Sequence, residues 1–196
     1  MSSAAHRLAT YADLEAAPPN VVAEIIFGTL VTHPRPVPCH GAAANVLGYE
    51  LTGPFQRGRG GPGGWVFMPE PELHLGPHVV VPDLAGWRRE HLPALPPTAW
   101  LEIIPDWACE ILSPSTESYD RGAKRKIYAA HGLKHYWLLD PRARVLEAFE
   151  LHDGKWLLLD TFAGEVDVAA APFAEVPFPL AVLWPFDEPP LPVSAD

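Results

Sequence analysis

Short apolar runs broken by Pro and Gly dominate the chain, and they predict strands. Val21–Ile26 and Thr29–Thr32 flank Phe27-Gly28, a hairpin pattern. Trp65–Met68, Glu72–Leu75 and Val79–Val81 are further short strand-like pieces, the last running straight into Pro82-Asp83. Trp107–Leu112 is the clearest strand, closed by Ser113-Pro114-Ser115-Thr116. His135–Leu139 and Arg144–Leu151 surround Asp140-Pro141, and Asp153-Gly154 turns into Lys155–Leu159. Cys39–Leu51 carries apolar residues at helical spacing and predicts a helix; Glu117–His131, free of Pro, predicts another, which Ser115 or Thr116 can cap and Gly132 stops. Leu92–Pro105 reads as a proline-broken connection with one short turn or strand, and Arg57–Gly64 as a Gly-rich loop.

Strand pieces interleaved with few helices predict an α/β (α+β) domain, and 196 residues suit one domain over 8–185 with a proline-rich tail at 186–196. The 24 prolines and 15 glycines call for many turns, yet seven tryptophans and 48% apolar residues are wrong for disorder. The two cysteines, Cys39 and Cys109, form no CxxC pair, which disfavours a disulfide framework or a cysteine zinc site and fits a reducing cytoplasm. No charged-then-apolar leader opens the sequence, and no apolar run nears the roughly 20 residues of a membrane span. A soluble, cytoplasmic protein is expected.

The formal charge of −10 argues against a dedicated DNA-coating protein. Charge is unevenly placed, however: residues 113–146 carry a net +4, and residues 147–196 a net −9. The basic excess follows directly after the Trp107–Leu112 strand. Within that strand Glu110 is surrounded by Ala108, Cys109, Ile111 and Leu112, so the acid must be satisfied by something. With Asp83 it could offer the oxygen ligands that a hard divalent cation prefers; a structural ion pair is the alternative. Asp120, Lys124 and Tyr128 are spaced i, i+4, i+8 and share one helical face, so Lys124 could bring an ammonium to those acids. Arg125 and Lys126 point elsewhere, toward phosphates or solvent.

Other chemistries find less support. No HExxH or HxH pair occurs among the nine histidines, no GxSxG surrounds the serines, and Gly58–Gly64 lacks the Gly-Lys-Ser/Thr ending of a phosphate loop. Trp87, beside the PDLAGW acid, could line a substrate groove.

The run PDWACEILSPSTESYDRGAKRKIYAAHGLKHYWLLDP, with VVVPDLAGW and AEIIFGTLVTHPRPVPCH upstream, resembles a large bacterial family known as "putative restriction endonuclease", within the PD-(D/E)xK nuclease superfamily. The resemblance covers roughly residues 8 to 185. It implies a restriction-endonuclease-like mixed central sheet flanked by helices, with additional hairpins, and Mg²⁺- or Mn²⁺-dependent cleavage of phosphodiester bonds, most naturally in DNA. Position by position, the motif acids fall on Asp83 and Glu110, an early acid on Glu24, and a recurrent histidine on His40, whose role stays unassigned. The lysine expected two residues after the Glu is absent, since Leu112 stands there; the family's displaced lysine falls on Lys124. Side chains at i and i+2 of a strand share a face, so Lys124 has to reach in from the helix.

The resemblance thus implies a cation held by Asp83, Glu110, the Ile111 backbone carbonyl and Glu24, with Lys124 compensating transition-state charge. A duplex cut needs two centres, so a homodimer is expected. The alternative is a catalytically silent nuclease fold that binds nucleic acid or another protein.

Overall fold

Phe27 and Gly28 carry φ angles of +48° and +75°, the two-residue turn that joins β1 (Val21–Ile26) to β2 (Thr29–Pro34). In this computed structural model, which describes residues 7–184, that hairpin follows α1 (Tyr11–Glu15), capped by Thr10 and Asp13. Next comes α2 (Pro38–Leu51), with Pro in its first turn, then a π-helical turn at Thr52–Gln56. β3 (Trp65–Pro69), β4 (Glu72–Leu75), β5 (His78–Val80), β6 (Leu84–Arg88), β7 (Trp100–Leu101) and β8 (Trp107–Ile111) follow. A π-helical turn at Tyr119–Lys124 leads into α3 (Arg125–Ala130), then β9 (His135–Asp140), β10 (Val145–His152) and β11 (Lys155–Ala163). The described chain closes with β12 (Asp167–Val168), β13 (Phe178–Pro179) and a 3₁₀ turn at Leu180–Leu183.

The strands form a six-stranded mixed sheet, β11-β10-β9-β8-β6-β3, a five-stranded sheet, β2-β1-β5-β4-β7, and the small pair β12-β13. In the large sheet β8 and β9 run parallel, as the α3 connection between them requires, while the other neighbours are antiparallel. The expected mixed sheet with helices is therefore present. The pieces expected as separate hairpins join into the second sheet.

Alternation along β8 assigns each side chain to a face. Trp107, Cys109 and Ile111 pack with Ala43, Leu47 and Leu51 of α2 and with Phe173. Ala108 and Leu112 lie in the other core, with Ile127 and Tyr128 of α3 and Leu73 and Val80 of the five-stranded sheet. Glu110, between them in the alternation, is thereby directed into an apolar layer. Burial of these large side chains, about 1.5–3 kcal/mol each, holds it there.

Several expectations are corrected. Asp83 does not end a strand; it sits in the link from β5 to β6, where the chain passes from one sheet to the other. The second helix is not α-helical throughout, because the segment carrying Asp120 and Lys124 is π-helical, a wider winding often found at functional sites. Trp87 is 0% exposed and donates its indole N–H to the Ile103 carbonyl at 3.0 Å, so it is core rather than groove lining. Arg125 lies over the Phe149 ring, 4.4 Å from its centroid. The tail at 186–196 lies outside the described residues.

Candidate active site

Six separate parts of the chain bring ionisable groups to one cleft of about 290 Å³, lined by Glu24, His33, His40, Asp83, Glu110, Asp120 and Lys124 among others. Glu24 comes from β1, Glu110 from β8, and Asp120 with Lys124 from the π-helical turn. Asp83 immediately precedes Leu84 and Glu110 immediately follows its partner Cys109, so the two motif acids lie side by side just beyond the last rung of the β6–β8 ladder.

Lys124 is the hub. Its Nζ lies 3.0 Å from Glu24 Oε1, 3.1 Å from Glu110 Oε1 and 3.5 Å from Asp120 Oδ1, and donates to the Val81 carbonyl at 3.1 Å. The residue is only 4% exposed. Burial opposes the ammonium charge, but Glu110, Glu24, Asp120 and Asp83 outweigh it and hold the pKa well above that of an ordinary lysine. The lysine reaches from the helix face, as the i, i+4, i+8 spacing predicts, and Leu112 packs into the apolar core.

The acids have distinct settings. Burial would raise Glu24, but Lys124, His33 and the Val81 amide, which donates to Oε1 at 2.7 Å, hold it below the usual range. Glu110 is pushed up by burial and by Asp120, Asp83 and Glu24, with Lys124 opposing. It accepts the Tyr128 hydroxyl at 2.8 Å. Asp83 is the more open acid, its side chain 17% exposed, with Oδ2 accepting the Ile111 amide at 2.6 Å. That bond locks Asp83 to the backbone of the residue whose carbonyl is expected to face a cation.

His40, in the first turn of α2, places Nε2 3.3 Å from Asp83 Oδ1 and also interacts with the Ile111 backbone. Burial would lower its pKa, but Asp83 outweighs that and raises it. Sequence reasoning singled out His40 without assigning a role, and left Asp120, Tyr128 and His33 outside the candidate set. The helical spacing of Asp120 and Tyr128 with Lys124 was the available signal; nothing local marks His33.

Four carboxylates face one buried ammonium and two imidazoles, His33 and His40, and burial raises Asp120 as well as Glu110. Both Asp120 oxygens are buried without a hydrogen-bond partner in good geometry, although Lys124 and Thr116 stand near. This surplus of anionic oxygen is the donor chemistry of a hard divalent cation. The donor types suit such an ion, although among the described residues no group of three His, Cys, Asp or Glu side chains is placed to hold a metal.

No helix among the described residues is long and apolar enough to cross a membrane. A 58-residue stretch is 40% identical to "Uncharacterized protein slr1290" of Synechocystis sp., and this match spans 29% of the chain and only 30% of that relative. The fold is similar to the crystal structure of "a putative nuclease belonging to DUF820" from Anabaena variabilis, with TM-score 0.72 and 21% identity, over 89% of this chain and 96% of that one. The sequence profile of the Uma2 family, described as "Putative restriction endonuclease", matches residues 8–181. The chain therefore belongs to the Uma2 family, and the restriction-endonuclease resemblance read from its motifs stands.

Proposed function

We propose that the protein is a divalent-metal-dependent nuclease that hydrolyses phosphodiester bonds, with DNA as the favoured substrate. One observation carries the reading: a buried lysine ammonium held among an excess of carboxylates, in a cleft that reaches solvent at Asp83. Asp83, Glu110 and the Ile111 carbonyl would hold Mg²⁺ or Mn²⁺, with Glu24 supporting Lys124 from behind. The bound ion would lower the pKa of a water and polarise the scissile phosphate.

The chain's own groups do the rest. Lys124 keeps its proton and supplies positive charge where the pentavalent phosphate gathers negative charge. Tyr128 and Glu24 fix the position of that charge through Glu110 and Nζ. The Ile111 amide orients Asp83 through Oδ2, so that Oδ1, beside His40 Nε2, faces the cleft. Removing one preorganised electrostatic group of this kind costs about 10²–10³ in rate.

A second reading, a nuclease fold that binds without cutting, has one observation in its favour. Glu110 is 1% exposed and already satisfied by Tyr128 and Lys124, so a cation would have to displace part of that network. Purified protein incubated with duplex plasmid and with single-stranded circular DNA, each with Mg²⁺ or Mn²⁺, separates the two, beside Asp83→Ala. Metal-dependent nicking by the native chain alone supports the nuclease; no cleavage under either metal rejects it. A homodimer, which would pair two centres for a duplex cut, is tested by sedimentation of the same sample.

A further inference from the structure

A second, larger hollow of about 900 Å³ adjoins the acid cleft, and the two share Pro36, His40, Glu70 and Asp83 in their walls. It is in the size range of ligand sites, roughly 300–1,000 Å³. It lies between α2 and the Gly-rich loop, and its walls include Arg57, Arg59 and Tyr49. Phe67 and Leu84 supply apolar surface, and Gly41 and Gly53 would meet nothing within 4 Å if given a Cβ, so the backbone is open to close approach.

The Gly-rich loop is not a loose hairpin. The Arg57 amide donates to Thr52, Arg59 to Gly53 and Gly63 to Pro54, which ties the loop onto the π-helical turn after α2. A Cβ on Gly61 would stand 2.6 Å from Pro54 Cβ and 3.0 Å from its carbonyl oxygen, so only glycine permits this contact. Arg57 and Arg59 are both exposed on this braced loop, and neither guanidinium forms an ion pair among the described residues. Tyr49, on α2, is 76% exposed and so offers its aromatic ring to the groove.

Guanidinium groups with an exposed aromatic ring, leading to acids suited to a cation, form the pattern that grips a phosphate backbone and stacks its bases. Counting charges decides which form of nucleic acid fits. Duplex binders typically neutralise about 6–10 phosphates. Here Arg57 and Arg59 line the groove, Glu50 and Glu70 line it too, and Arg35 flanks the acid cleft. The total charge of −10 provides no broad attractive field. Paired bases also leave no free face for Tyr49.

We infer that this groove is the track for an unpaired nucleic-acid strand: Arg57 and Arg59 hold its phosphates, Tyr49 stacks a base, and the strand is led to Asp83. The inference rests on the nuclease reading for what happens at Asp83, but the track itself binds without metal.

Binding is measured by fluorescence anisotropy in EDTA, using labelled oligo-dT and oligo-rU of roughly ten nucleotides and a duplex of matching length. The single strands should bind at least about tenfold tighter than the duplex, and Tyr49→Ala should weaken them about tenfold. Arg57→Ala with Arg59→Ala should reduce the salt slope by about 1.4, at about 0.7 per phosphate contact. Lys155→Ala, which removes an exposed ammonium on β11 outside the groove, should leave binding as in the native chain. Equal or tighter duplex binding, no measurable strand binding, or unchanged binding by the groove variants would overturn the inference. Strand binding in EDTA without any cleavage in metal would support the track while rejecting the nuclease.

Discussion

Lys124 Nζ and Glu110 meet at 3.1 Å from Oε1 and 3.2 Å from Oε2, the ammonium arriving from the helix that follows the strand carrying the acid. In the common form of the PD-(D/E)xK motif the lysine would sit on the strand itself. Here Leu112 occupies that rung and packs with Ile127 and Tyr128, and the helix delivers the charge instead.

This pairing makes Lys124 a stability element as well as a charge donor. Lys124→Met should cost about 3–5 kcal/mol, because it leaves Glu110 and Glu24 buried without their cation. Urea unfolding at neutral pH checks it. A variant within about 0.5 kcal/mol of the native chain would mean that the acids are already neutral in the fold.

Tyr128→Phe removes the hydroxyl that Glu110 accepts at 2.8 Å and leaves the ring in place. The expected loss is about 1–3 kcal/mol, the range for leaving a buried acceptor without its partner. The same unfolding measurement reads it, and an unchanged midpoint would show that the bond contributes nothing net.

A cation that binds the folded cleft but not the unfolded chain must raise the melting temperature. At a hundred times its dissociation constant it would add about 2.7 kcal/mol. Differential scanning calorimetry with and without Mn²⁺ should show the shift, with EDTA reversing it. Asp83→Ala should lose most of it, since Asp83 is the most open of the four acids.

Acid sensitivity has a separate origin, at the surface. Arg142 lies 2.7 Å from Glu117 Oε2 and 3.1 Å from Asp140 Oδ2, and Arg121 lies 3.1 Å from Glu117 Oε1. Hydrogen bonds from Arg142 and Arg121 lower the Glu117 pKa. Burial alone would raise Asp140, but Arg142 and the Ala143 amide bring it down. Because the folded values lie below the unfolded ones, the stabilisation is complete above about pH 4 and disappears as pH falls through the folded values. Glu117 is about one-third exposed, which with solvent screening limits its share to about 0.5 kcal/mol. Unfolding curves at pH 7 and pH 3 should differ by less for Glu117→Gln than for the native chain; an equal difference would reject this origin.

Most elements were legible because their signals are local. The Phe27-Gly28 turn, the α2 helix and the β8 strand follow from positive-φ preference, helical spacing and an unbroken apolar run. β6 was missed because Leu84–Arg88 looks like a continuation of the PD motif, and only pairing with Met68 and Ala108 partners makes it a strand. The Glu24–Lys124 contact and the His40–Asp83 contact had no local signal either, since each joins residues from separate elements.

The sequence by itself determined which residue types were on offer: an acid inside an apolar strand, a lysine on an inward helix face, and a Pro-Asp pair at the end of an apolar run. Side-chain periodicity fixes those directions before any tertiary contact forms. Only the tertiary structure decided that they share one cleft, that Asp120 and His40 join them, and that a second groove leads there. Convergence depends on how two sheets and a helix pack, and packing is set by long-range contacts that no single stretch of chain contains.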